Sequence, residues 1–296
     1  MREAALADFD QAGQLWRWHA TVAEYARNHW PFTPDEQRAR RIALLPAWER
    51  WLKRLPADEM EAHSRLEGSR LNLVAVVEDS IQASPQGAQA FLDALDERLP
   101  LPAHTLVLRE MVEMVWKTKL LLLPAEKRLE RSRLLSNLGA ALSSLGRREE
   151  ALQATKEATE SYRKLAEKNP EAFLPNLAMS LNNLGAMFSD LGWREEALQA
   201  AKEAADIRRK LAEKNPQAFL PDLARSLGVY GNVLLGLERY GGAADSFSQG
   251  LELLAPFFAK HPQAFSSLAG ALKQLYLQAC QKAGQEPDAD LLSRFG

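Results

Sequence analysis

Leu135, Leu138, Leu142 and Leu145 stand three, four and three residues apart, a spacing that puts them on one face of an α-helix. The same spacing returns 46 residues later as Leu181, Leu184, Phe188 and Leu191, then again as Leu227, Tyr230, Leu234 and Leu237. Each apolar helix is followed by a break: Leu145-Gly146-Arg147, Leu191-Gly192-Trp193 and Leu237-Glu238-Arg239. Glycine there suits the left-handed conformation that closes many helices. A second, longer helix follows each break, for example from Arg194 to Glu213. Asn215-Pro216 is expected to end it, with Pro221-Asp222 opening the next unit.

The repetition reaches beyond the leucines. Segments 135–180 and 181–226 are identical at 33 of 46 positions, and Pro124, Pro170, Pro216 and Pro262 keep the same step. Self-similarity at this length predicts a stacked helical array, in which no single copy can bury its leucine face alone. Gly139, Gly185 and Gly231 fall where adjacent helices need close approach, and Ala151, Ala197, Ala243, Ala158 and Ala204 recur on the second helices.

The first 124 residues are patterned differently. Six of the seven tryptophans precede residue 117. Leu6 to Phe9 and Leu15 to Trp18 flank a short turn-forming stretch and predict a small β-hairpin. Helices are expected from His19 to Trp30, from Thr33-Pro34-Asp35-Glu36 toward Leu55 with a division at Pro46, and from Asp58 with a break at Gly68. Two more are expected, from Ser84-Pro85 to about Leu99 and from His104 to Leu123.

Leucine at the seventh place, glycine at the eighth, alanine at the twentieth and a small residue at the twenty-seventh resemble the tetratricopeptide repeat. Those places hold Leu138, Gly139, Ala151 and Ala158, then Leu184, Gly185, Ala197 and Ala204, then Tyr230, Gly231, Ala243 and Gly250. The repeat resembles the elongated variety found in kinesin light chains and bacterial signalling proteins, its extra length expected in the second helix and its proline-containing loop. The resemblance implies a groove lined by the first helices that holds an extended peptide. By motif position its candidate partner-binding residues are Arg133, Asn137, Ser144, Asn182, Asn183, Asp190, Arg225 and Asn232. Asn137 and Asn183 match the family asparagine that bonds a peptide backbone, a task suited to an amide that both donates and accepts.

Trp16-Arg17-Trp18-His19 followed by Glu24-Tyr25-Ala26-Arg27 resembles the end of the winged-helix domain of STAND-type signalling ATPases. That resemblance implies a nucleotide-sensing role for His19 if an ATPase partner is supplied, although Ala20 replaces the family's acidic residue. The chain has no G-x-x-x-x-G-K-[ST] loop of its own.

Composition narrows the choice. A net charge of −2 offers no basis for expecting nucleic acid as a partner, and the longest central apolar run, Leu120 to Leu123, is far short of a bilayer span. One cysteine, Cys280, excludes an internal disulfide and fits a cytoplasmic setting. The five histidines show no metal-ligand spacing, and Glu149-Glu150 and Glu195-Glu196 sit at helix starts, where they favour the helix dipole. No catalytic residue, metal or cofactor is expected.

The sequence therefore predicts an all-α fold, a tetratricopeptide-like α-solenoid preceded by a helical domain with a small N-terminal β-hairpin. Its expected parts are a winged-helix-like remnant (1–32), a helical linker domain (33–124), repeats with a terminal cap helix (125–284) and a tail (285–296). The first expectation for function is a non-catalytic protein-interaction scaffold. A regulatory arm of a STAND-type ATPase and a DNA-binding regulator are the alternatives.

Overall fold

The computed structural model describes residues 7–10, 15–18, 33–83, 85–99, 108–124 and 126–295. The chain divides into two compact units, Met1–Pro124 and Ala125–Gly296.

In the first unit, β1 (Ala7–Asp10) pairs antiparallel with β2 (Leu15–Trp18), with Phe9 opposite Trp16. The expected helix over 19–30, and with it His19, lies outside the described residues. Among the described residues six helices follow: α1 (Pro34–Ala43), α2 (Leu45–Lys53), α3 (Glu59–Gly68), α4 (Arg70–Ala83), α5 (Pro85–Asp96) and α6 (Arg109–Leu122). Thr33 opens α1 with a capping box: its hydroxyl accepts from the Glu36 N–H, and its own N–H donates to the Glu36 carboxylate at 2.8 Å. That backbone donor holds the Glu36 carboxyl below the usual carboxylate range. Pro46 divides α1 from α2 as its position suggests, because a proline fits the first turn of a helix and not its interior. α5 packs against α2, α4 and α6 around Leu52, Leu73, Phe91, Leu95 and Met111, all at most 1% exposed. At its border Asp96 accepts from the Trp116 indole at 2.6 Å and from Lys119 at 2.5 Å.

The second unit is a run of long helices, each packed on the next: α7 (Arg128–Ser144), α8 (Arg148–Lys168), α9 (Pro170–Asp190), α10 (Arg194–Lys214), α11 (Pro216–Gly236), α12 (Tyr240–Lys260) and α13 (Pro262–Ala283). The breaks within copies behave as the sequence predicts. Gly146 and Gly192 both take φ 75°, and the next N–H reaches back five residues, from Arg147 to Leu142 O and from Trp193 to Phe188 O. In the third copy Glu238 takes the same role at φ 60° without glycine's freedom.

The breaks between copies differ from expectation. A single residue, Asn169, separates α8 from α9, and Asn215 alone separates α10 from α11. Each asparagine caps the following helix by accepting from a backbone N–H, Ala172 at 3.3 Å and Ala218 at 3.2 Å, and proline takes the first position. Pro175 and Pro221 lie inside the new helices and not in a loop. Each sits one turn in and removes a single helical bond, to the carbonyl of exposed Glu171 or Gln217, which water can satisfy. The extra length of the repeat is therefore shared: α9, α10, α11 and α12 each contain 21 residues.

Small residues set the spacing inside each copy. A Cβ at Gly185 would lie 3.3 Å from Ala201 N and 3.4 Å from Ala197 O, and one at Gly231 would lie 2.8 Å from the Phe247 ring. The expected tail instead carries a short helix, α14 (Ala289–Ser293). Its Leu291 and Phe295 are buried, Phe295 against Phe258 at 5.1 Å between ring centroids, and the Asp288 N–H donates to the Tyr276 hydroxyl at 3.0 Å. Two apolar anchors and a capped start are enough to order it. Among the described residues no helix is long and apolar enough to cross a membrane.

Candidate functional site

The three first helices α7, α9 and α11 carry the residues singled out by motif position. Met179, Asn182, Asn183 and Ala186 step along one face of α9 by three, one and three residues, and Asp222, Arg225 and Val229 do so along α11. Together with Arg208, from the helix α10 that packs against both, they enclose a cavity of about 470 Å³. A second cavity, about 270 Å³, adjoins it and shares Ala186, Arg225 and Val229. Its other walls are mainly apolar, from Val233, Leu268, Leu272 and Leu275, with Asn232 at the edge.

Of the eight predicted residues, the structure thus gathers Asn182, Asn183, Arg225 and Asn232 around two adjoining cavities. Arg133, Asn137, Ser144 and Asp190 are exposed but line neither one. Ser144 turns its hydroxyl back onto Ala141 O at 2.7 Å. Asn182 differs from the others in being buried: its Nδ2 donates to Ser226 Oγ at 2.8 Å, tying α9 to α11, while its Oδ1 has no donor among the described residues.

Sequence reasoning missed Arg208 and Asp222. Arg208 is only 6% exposed. Its Nη2 donates to Pro175 O at 3.0 Å and its Nη1 lies 2.9 Å from Asp222 Oδ2, yet neither Nε nor Nη1 has a properly directed hydrogen-bond acceptor. Burial lowers the pKa of the guanidinium, Asp222 opposes that shift and Arg225 adds to it. Arginine nevertheless stays charged at any ordinary pH. The signal that could have exposed it is the comparison of copies, because the matching places hold Tyr162 and Leu254.

The helix pairs, their glycine and alanine spacing and the shared first-helix face define an all-α, tetratricopeptide-like α-solenoid. The tetratricopeptide repeat family matches residues 132–171 and 177–217. Among solved structures, the crystal structure of BtubC (BKLC) from P. vanneervenii is similar over 87% of this chain and 86% of that one, at 15% identity and a TM-score of 0.51. This likeness is one of fold. The pilF protein of Pseudomonas aeruginosa also aligns, over 88% of this chain and 97% of that one, at 16% identity and a TM-score of 0.34. No curated protein matches the chain. The family match does not extend to residues 1–124, and none of these comparisons points to a STAND-type ATPase. Tetratricopeptide repeats generally mediate protein–protein interaction.

Proposed function

We propose that the repeat unit is a non-catalytic scaffold that holds an extended peptide, or an extended segment of a protein, along the face made by α7, α9 and α11. The observation that supports this reading best is the pair of adjoining cavities along α9 and α11, one carrying the polar side chains of Asn182, Asn183, Arg208, Asp222 and Arg225, the other closed by α13 with mainly apolar walls. An extended chain needs both kinds of surface, hydrogen-bonding groups for its backbone and recesses for its side chains. Asn183 and Arg225, exposed beside the polar cavity, offer the former, and the Val233–Leu272–Leu275 wall offers the latter. Asn137 occupies on α7 the place that Asn183 occupies on α9, which extends the same face by one copy.

The test is selection of peptides from a random twelve-residue display library on the immobilised full chain, followed by solution binding of the selected peptides. Asn137→Ala with Asn183→Ala should keep the circular dichroism of the wild type and weaken peptide binding, since exposed polar positions seldom decide stability. A selection that enriches nothing, or peptides that bind the double variant equally well, would remove the groove from consideration.

A further inference from the structure

We propose that Arg208 sets the specificity of this groove by receiving one carboxylate side chain of the bound segment, with Asp222 as the resident counterion that the incoming carboxylate displaces. The inference rests on the groove reading above and adds the chemistry of the ligand.

The first argument is that packing does not require a charge at this place. The equivalent positions are filled by Tyr162, 1% exposed, and Leu254, fully buried. Replacing a buried ion pair by apolar groups of similar volume is often neutral or favourable, so a retained buried arginine calls for another reason.

The surroundings change with it, copy by copy. Tyr162, its hydroxyl pKa raised by burial, is faced by Ser136, Arg133 and Asn176. Beside Arg208, Asn182 and Asp222 stand at the places of Ser136 and Asn176, and Arg225 stands at the place that Met179 holds one copy earlier. Leu254 has Gly228, Ala271 and Leu268 at those places. At the places of Asn182, Asp222 and Arg225 the array thus carries Ser136, Asn176 and Met179 one copy earlier and Gly228, Leu268 and Ala271 one copy later, running from neutral through charged to apolar as a row of side-chain subsites would.

The second argument is the balance of donors and charge at the middle node. Arg208 keeps two nitrogens, Nε and Nη1, without a directed acceptor, and Asn182 keeps a carbonyl oxygen without a donor. A peptide residue with an acidic side chain supplies both missing partners, a carboxylate for the guanidinium and a backbone N–H for Asn182. Each bidentate face of a guanidinium pairs Nη2 with either Nε or Nη1, so a carboxylate entering from the Asp222 side takes Nη1 and shares Nη2 with Pro175 O.

Arg208, Arg225 and Asp222 sum to a charge of +1, which one carboxylate neutralises; a phosphate, at about −1.5 to −2, would exceed it. Asp222 can leave readily. Its side chain is 40% exposed, and its oxygen lies near Nη1 without a directed hydrogen bond. Moving it outward uncovers Nη1 to the cavity.

The peptides selected on the full chain provide the test. They should share one Asp or Glu, and fluorescence anisotropy should show each binding about tenfold or more tightly than its counterpart with Gln at that place, as expected for a charge-assisted bond. Arg208→Leu, the residue the third copy carries there, should abolish that preference, so that the acidic peptide and its Gln counterpart bind equally. Asp222→Asn should tighten the acidic peptide several-fold by removing its competitor. If Arg208→Leu unfolds, Arg208→Tyr, the residue of the first copy, makes the same comparison, and Asp222→Asn reads the site independently.

Peptides that depend on Asn137 and Asn183 but carry no acidic residue would overturn the assignment and leave the groove reading standing. A phosphoserine peptide bound more tightly than its Glu counterpart would also overturn it. A selection that enriches nothing would bring down both.

Discussion

Gly139→Ala is the sharpest probe of how the copies are built. A Cβ at Gly139 would strike the hydroxyl of Thr155 on α8 and lie 3.3 Å from Ala151 O. Thr155 is β-branched and 2% exposed, so it has little room to turn away. Overpacking of this kind costs about 1–3 kcal/mol. Replacing glycine by alanine inside a helix returns about 1 kcal/mol. The net expectation is a loss of about 1 kcal/mol, and at most about 2.

The second copy provides the control. There Ala201 stands where Thr155 stands, and a Cβ at Gly185 would meet nothing nearer than 3.3 Å. Gly185→Ala should therefore be close to neutral, and Thr155→Ala should convert the first copy to the tolerant geometry of the second. Urea titrations followed by far-ultraviolet circular dichroism on the four members of the Gly139/Thr155 cycle would measure the coupling, expected at about 1–2 kcal/mol in favour of the double variant. In thermal melts, a net loss of 1 kcal/mol should appear as a fall of about 2–4 °C for a unit of this size. If Gly139→Ala is as stable as the wild type, or if the two changes simply add, α7 and α8 do not meet closely at that glycine and the spacing argument fails.

Two further outcomes are expected. Glu238→Gly should raise the melting temperature, by about 0.5–1 kcal/mol of stability, because Glu238 holds at φ 60° the conformation that Gly146 and Gly192 adopt freely; a lower melting temperature would show that Glu238 makes a compensating contact. Ending the chain after Gly284 should cost about 3–5 kcal/mol, the transfer value of two large apolar side chains, since it removes buried Leu291 and Phe295 and uncovers Phe258. An unchanged urea midpoint would mean that α14 contributes no packing.

Much of the fold was legible because the signals were local. The three-four-three leucine steps, the Thr33 capping box and the Gly146 and Gly192 closures are set by geometry within one or two turns, and each appears where its residues stand. The proline segments were misread for an equally physical reason. Asn-Pro followed by a second proline five residues later resembles a loop, but a helix whose first residue is proline can absorb another one turn in at the expense of one exposed bond. The ordering of α14 depends on Phe258, some 30 residues away in sequence, and no local pattern announces it. On the candidate site, the motif supplied Asn183 and Arg225. It could not supply Arg208, because Ile207-Arg208-Arg209-Lys210 looks like the solvated face of a helix.

The repeats carry information of a second kind, in the places where they disagree. Segments 135–180 and 181–226 differ at 13 positions, and four of those, Asn182, Arg208, Asp222 and Arg225 in the second copy, line one cavity although they come from three helices. Some packing positions are held alike, Ala151 with Ala197 and Ala158 with Ala204, all fully buried, whereas Leu142, Thr155 and Thr159 become Phe188, Ala201 and Ala205 at places that stay buried. Changes at such places have to be absorbed by neighbouring helices. Among the cavity-wall changes, Asp222 and Arg225 are the more exposed and meet fewer neighbours, whereas Asn182 and Arg208 are buried and bonded to neighbouring helices. These four changes also complete a charge pair, Arg208 with Asp222 in place of Tyr162 with Asn176, which is the arrangement the proposed acidic subsite requires.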